Sequence, residues 1–123
     1  MAAKLTKGQI EAEITKALIK FEKDHMGRGP KDAETHLIND IILIRFKGVL
    51  TAAEQQLAKN KEGIELIKKI RSNLLENSRM ILEQIITNLT GAKVKSMHMD
   101  ISTVTGEKVI LFTIDENIEK KYA

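Results

Sequence analysis

KVILFTI, residues 108 to 114, decides the fold. Successive side chains of a strand point to opposite faces, so Val109 and Leu111 face one way and Ile110, Phe112 and Ile114 the other. A strand apolar on both sides has to be covered on both sides. IILIRF, residues 41 to 46, has the same character. Each is preceded by a turn and a more polar strand, so the chain contains two hairpins. In the first, AETHLI leads into Asn39-Asp40, residue types that tolerate the positive φ of a tight turn. In the second, Ala92 to Ile101 alternates and Thr105-Gly106 turns the chain. Met97, Met99 and Ile101 share one face of that strand, and Ser96, His98 and Asp100 share the other.

Each hairpin follows a helix that stops on glycine. From Lys7, the positions Ile10, Ile14, Ala17, Leu18 and Phe21 place an apolar stripe on one helical face, which predicts a helix to about His25. Gly27 favours the left-handed C-terminal conformation and Pro30 forbids continuation. MGRGPKD, residues 26 to 32, thus reads as a helix stop. As a phosphate cradle it is poorly placed, because its glycines follow a helix rather than precede one, and the chain has neither GxxxxGK[ST] nor GxGxxG. Thr51 with Glu54 three residues on forms a capping box that opens the second helical region. Ile64, Ile67, Ile70, Leu74, Leu75, Ile81, Leu82, Ile85, Ile86 and Leu89 then predict one long helix ended by Gly91, with Gly63 and Ser78 as its weak points.

The order helix, hairpin, long helix, hairpin suggests a duplicated helix-strand-strand unit in which IILIRF corresponds in pattern to VILFTI. It predicts an α+β two-layer sandwich, with helices packed on one face of a four-stranded antiparallel sheet. A single domain over residues 1–123 is expected, with 1–6 and 117–123 as frayed ends. One helical layer covers one face only. A twofold homodimer is the expected cover for the other.

Composition excludes several functions. Hydrophobic residues at 42% and charged residues at 30% belong to a folding chain. With aromatics at 3% and no Trp, the core is aliphatic and stacking platforms for single-stranded nucleic acid are missing, so no nucleic-acid partner is expected. The absence of Cys removes disulfides, thiolate zinc sites and a cysteine nucleophile. MAAKLTKGQIEAEITK at the N-terminus has no signal-peptide apolar core, and no segment approaches the ~20 apolar residues of a membrane span. A cytoplasmic protein without membrane insertion is expected. The 20 Lys and Arg against 17 Asp and Glu, net +3, are interleaved. In the basic stretch Lys59, Lys61, Lys68, Lys69 and Arg71, the interspersed Glu62, Glu65 and Glu76 point to a solvated, salt-bridged face.

Candidate site residues are few. Arg28 and Lys31 could hold phosphate or carboxylate. His36, His98 and Asp100 would give a histidine–carboxylate pair for proton transfer if the first strands of the two hairpins were neighbours. Met97-His98-Met99-Asp100 has copper-ligand types, but alternation sends the methionines and the His-Asp pair to opposite faces. Ser102, Thr103 and Thr105 lack a GxSxG surround and read as turn residues. No catalytic residue, metal or cofactor is predicted.

GRGP at 27–30, GVLTxAE at 48–54 and HxDISTxTGE at 98–107 resemble the MpsC-like family of small bacterial proteins. That family was long catalogued as a domain of unknown function and later named for a Na+-translocating, membrane-potential-generating system. The resemblance extends from about Gln9 to Asp115. The family pattern usually has an aromatic before the first Gly of GRGP and often Pro after the Thr of GVLT; here those positions are Met26 and Ala52. Partnership with membrane components that move sodium ions or bicarbonate is what the resemblance implies, and it supplies no catalytic residues. The expected function is therefore a non-enzymatic cytoplasmic accessory protein, dimeric, that docks on a membrane transporter subunit through a surface including Arg28, Lys31, His36, His98 and Asp100. The alternatives are a regulator that binds a small anion or nucleotide at the Gly27–Lys31 loop, and an enzyme working at His36, His98 and Asp100.

Overall fold

The computed structural model describes residues 5–123. Among them the elements are α1 (Lys7–Met26), β1 (Asp32–Ile38), β2 (Ile41–Lys47), α2 (Ala52–Leu57), α3 (Lys61–Asn77), α4 (Arg79–Thr90), β3 (Val94–Ile101), β4 (Lys108–Ile114) and α5 (Ile118–Lys121). The fold is α+β, with one four-stranded antiparallel sheet in the order β1-β2-β4-β3. The two strands that are apolar on both sides lie at its centre, and the more polar strands form the edges. That order follows from burial, since a central strand loses solvent at both flanks.

Helix α1 opens on a Thr6–Gln9 capping box and closes at Gly27 in the left-handed conformation, φ 86°. Its buried side is the predicted stripe of Ile10, Ile14, Leu18 and Phe21. Asn39 takes the positive φ, 54°, of the first hairpin turn. One face of the sheet packs into the core through the rows Leu37-Ile42-Phe112-Met97, Thr35-Ile44-Ile110-Met99 and Ala33-Phe46-Lys108-Ile101. All of the β2 and β4 members of these rows are 1% exposed or less. The opposite face carries Ile38-Ile41-Thr113-Ser96, His36-Leu43-Leu111-His98 and Glu34-Arg45-Val109-Asp100. Its central members are only half-buried.

The register contains an internal twofold. A half turn about the sheet normal at the Leu43–Leu111 pair carries residues 41–46 onto 109–114 and His36 onto His98. The strand-strand part of the repeat suggested by IILIRF and VILFTI is thus also a repeat in space.

The long helical region does divide at its two weak points, near Gly63 and at Ser78, into α2, α3 and α4. Asn60 caps α3 by accepting the Gly63 N–H at 2.8 Å, and α2 ends so close that a Cβ on Gly63 would lie 1.7 Å from the Leu57 carbonyl oxygen. Ser78 then separates α3 from α4, its N–H directed at the carbonyls of Leu74 and Leu75. One sequence expectation needs correction, that of the ends. Residues 117–123 are packed: Asn117 caps α5, Ile118 is fully buried and Tyr122 is 8% exposed. The Glu119 carboxylate accepts the Asn39 N–H at 3.0 Å and the Lys7 ammonium at 2.9 Å, joining α5 to the β1–β2 turn and to α1. Thr6 is held by its capping box, and residues 1–4 of the other expected frayed end lie outside the described residues.

The aliphatic core encloses ionic groups that sequence reading did not anticipate. Lys108 sits on the core face of β4 and pairs with Glu22 of α1, both side chains 2% exposed. Arg71, read above as part of a solvated basic face, is 5% exposed. It grips the Glu54 carboxylate at 2.7 and 2.6 Å and donates to the Val49 carbonyl at 3.0 Å. Charges cannot be buried in such surroundings without partners, and here each has one.

Candidate functional site

Three stretches far apart in sequence meet at one end of the sheet. After α1, the Lys31 N–H donates to the Lys47 carbonyl at 2.8 Å, starting the β1–β2 pairing. The Val49 N–H donates to the Gly106 carbonyl at 3.1 Å, bringing 48–54 against the 102–107 turn. Gly48 has φ 67°, and a Cβ there would strike the Lys31 side chain at 2.7 Å, so glycine lets that lysine lie across the backbone. The turn is braced internally: Ser102 Oγ accepts the Thr105 N–H at 3.2 Å and Thr105 Oγ1 accepts the Glu107 N–H at 3.2 Å. These hydroxyls are the turn residues the sequence suggested.

Between these segments lies a cleft of about 380 Å³ whose polar lining is Lys31, Gln55, Thr103 and Thr105. It offers one cation and several donors, and no nucleophile paired with a base. Such a lining suits a small anion better than a reaction. Arg28 is differently employed. Its guanidinium donates to the Leu50 carbonyl at 3.4 Å and the Gly48 carbonyl at 3.5 Å, long bonds that fasten the helix stop to the 48–50 segment. MGRGPKD therefore ends α1 and also buttresses this corner.

His36, His98 and Asp100 do not come together. β1 and β3 are opposite edges of the sheet, so His36 and His98 are separated by Leu43 and Leu111, three strand spacings or about 14 Å. The proposed proton-transfer pair between the hairpins has no geometric basis. His36 Nε2 lies 3.8 Å from Glu34, His98 Nε2 lies 3.1 Å from Ser96 Oγ, and Asp100 lies 3.7 Å from the Lys68 ammonium. Met97 and Met99 face the core, opposite to His98 and Asp100 as alternation requires. No group of three His, Cys, Asp or Glu side chains suited to a metal occurs among the described residues.

Each buried pair contains a group with a perturbed ionisation. Burial pushes the Lys108 ammonium down from its ordinary value, and the Glu22 carboxylate offsets only part of this. Burial alone would raise the Glu54 carboxyl; the Arg71 hydrogen bonds and the Thr51 N–H outweigh it and hold it below the usual carboxylate range. Parity along KVILFTI could have shown this in advance, because Lys108 shares its face with Ile110 and Phe112. The first pair ties α1 to β4, and the second ties α3 to α2 and, through the Val49 carbonyl, to the segment that follows β2.

Fold and surface together define a small α+β module with an ordered turn corner and a half-covered sheet face. The chain belongs to the MpsC family: the family model described as Na+-translocating membrane potential-generating system (MpsC) matches residues 6–116. Among its relatives in Bacillus subtilis (strain 168), the uncharacterized protein YbcI is 44% identical over 117 residues, covering 95% of this chain and 94% of that protein. The uncharacterized protein YrhF is 27% identical over 111 residues, covering 89% and 90%. No solved structure matches significantly. No helix among the described residues is long and apolar enough to cross a membrane.

Proposed function

We propose that this chain is a non-enzymatic, cytoplasmic accessory protein of a Na+-translocating, membrane-potential-generating or bicarbonate transport system, acting as a homodimer that docks on a membrane-embedded subunit. The observation that carries the reading is the match to the family model over residues 6–116 by a chain whose candidate residues do not assemble a reaction centre. A chain of this kind contributes surfaces: the corner braced by Arg28 and Lys31, and the sheet face bearing His36, His98 and Asp100. The test is a Na+-dependent potential measured with a voltage-sensitive dye in membrane vesicles. Vesicles from cells lacking this chain should lose the Na+-dependent component and recover it when the purified chain is returned to the cytoplasmic side. An unchanged potential in its absence overturns the proposal.

The Lys31 cleft favours a second reading, a regulator that binds a small anion. Bicarbonate or phosphate should then raise the thermal midpoint by mass action, and Lys31→Ala should abolish the rise. No rise with bicarbonate, phosphate or nucleotides removes this reading.

A further inference from the structure

We infer that the groove between α1 and the free edge of β1 is a docking site for an extended acidic peptide, which joins the sheet as a fifth strand and sets its carboxylates against Lys16, Lys20 and Lys23. This goes beyond the reading above, whose docking surfaces are the turn corner and the outer sheet face. The edge of β1 is incomplete. Because β1 is an outermost strand, every second residue turns both its N–H and its carbonyl away from β2. The Ala33 N–H donates to the Asp32 carboxylate at 2.9 Å and the Leu37 N–H to Glu11 at 2.9 Å, so these are the outward residues. In the turn just beyond, the Asn39 N–H donates to Glu119 at 3.0 Å. Thr35 shares the parity of Ala33 and Leu37, and its N–H is the donor of this run with no partner among the described residues.

Thr35 is 5% exposed and its hydroxyl is spent on Thr15 Oγ1 at 2.7 Å. An amide withheld from water and left unpaired costs free energy. A carbonyl from an added strand would satisfy it, and the outward carbonyls of Ala33 and Thr35 would take that strand's N–H groups in return. Beside this edge lies an open groove of about 660 Å³, with Ala12 and Ile19 of α1 across from Ala33 of β1. A groove flanking a strand edge is the arrangement in which an extended peptide adds to a sheet: its main chain pairs with the edge, and alternate side chains enter the groove.

Charge selects the occupant. Lys16, Lys20 and Lys23 follow one another along α1 at spacings of four and three residues and line the groove from one helical face. None of the three has an ion pair among the described residues. The carboxylates of the groove are already engaged, Glu11 by the Leu37 N–H and Glu34 by Arg45 at 3.5 Å. Three positive charges are thus left without compensation beside an edge whose own outward donors all end on carboxylates. A basic or neutral strand would leave those charges as they are, and an acidic one neutralises them.

Fluorescence anisotropy on the purified chain tests this with no transport system present. The probe is a labelled synthetic peptide of alternating glutamate and valine, as long as the seven residues of β1. The wild type should bind it saturably, and Lys16→Glu with Lys20→Glu should weaken binding at least tenfold. Lys61→Glu with Lys69→Glu, an equal change of charge on α3, should leave it within about threefold. N-methylation of every second peptide amide removes the donors along one edge of the peptide. One of the two alternating patterns should abolish binding and the other should keep it. This arm uses the unaltered chain, so it decides the matter even if the lysine variants fail to fold. In amide NMR the Thr35 N–H should shift and gain protection from exchange when the peptide binds. A wild type that does not bind the peptide overturns the inference, as do two methylation patterns that bind alike, because charge alone would then hold the peptide. So do shifts centred on Lys31 and Thr103, which would place the peptide in the cleft at the turn corner. Adsorption to phosphatidylglycerol vesicles by a chain that ignores the peptide also overturns it, because the lysines would then face a lipid surface.

Discussion

Replacing Lys108 by Met removes one half of an ion pair that no solvent reaches. Glu22 and Lys108 are each 2% exposed, Glu22 comes from the last turns of α1, and Lys108 opens β4. The neighbouring Arg71 has its own carboxylate, Glu54, and is no substitute partner. Breaking a buried pair by removing one partner costs about 3–5 kcal/mol, because the remaining charge is stranded. Against a total stability of about 5–15 kcal/mol for a domain, that is a large fraction. At roughly 4 °C per kcal/mol for a chain of this size, the thermal midpoint should fall by about 12–20 °C. Replacing both partners by apolar groups of similar volume should recover most of the loss, so Glu22→Leu with Lys108→Met should lie within about 1.5 kcal/mol of wild type. Urea unfolding of the wild type, both single variants and the double variant closes the cycle. A Lys108→Met loss below about 1 kcal/mol would be typical of a solvated surface pair, and the reasoning would fail.

Other perturbations have equally definite outcomes. Gly63→Ala in an ordinary helix would stabilise by about 1 kcal/mol, yet with the Leu57 carbonyl 1.7 Å from the new Cβ it should destabilise by roughly 1–3 kcal/mol in chemical denaturation; a gain would disprove the close approach of α2 and α3. Glu54 is held below its ordinary carboxylate value, so the stability it contributes is complete above the unfolded value and disappears as pH falls through the folded one. Glu54→Gln should therefore be less stable than wild type at neutral pH, and the gap should narrow on acidification below the ordinary carboxylate range; a gap independent of pH contradicts the assignment. Arg28→Ala loses two long bonds to carbonyls and should cost only about 1 kcal/mol, read as a small drop in urea midpoint. A collapse of the fold would make Arg28 a keystone rather than a brace.

How far the sequence could be read depended on the range of the interactions involved. Local physics made the stops and turns legible: Gly27 and Gly91 take the left-handed conformation, Asn39 turns the first hairpin, and Thr51 with Glu54 forms the capping box. Alternation placed Met97 and Met99 on one face and His98 and Asp100 on the other without any knowledge of strand order. Strand order itself is tertiary. Two hairpins can join through any pair of edges, and only the need to bury both sides of IILIRF and VILFTI places β2 beside β4. Following that need through would have separated His36 from His98 at the start. Gly63 and Ser78 marked where the long helix could divide, but not the reason at Gly63, because Asn60 and Gly63 act through a contact with the preceding helix rather than through periodicity. The packed C-terminus escaped notice because α5 is four residues long and is anchored by Glu119 to partners distant in sequence, with Ile118 and Tyr122 buried in the core.

The proposed accessory role is most directly tested by the Na+-dependent potential of membrane vesicles. Vesicles from cells lacking this chain should lose the Na+-dependent component and regain it when the purified chain is added back, whereas an unchanged potential in its absence would contradict the account.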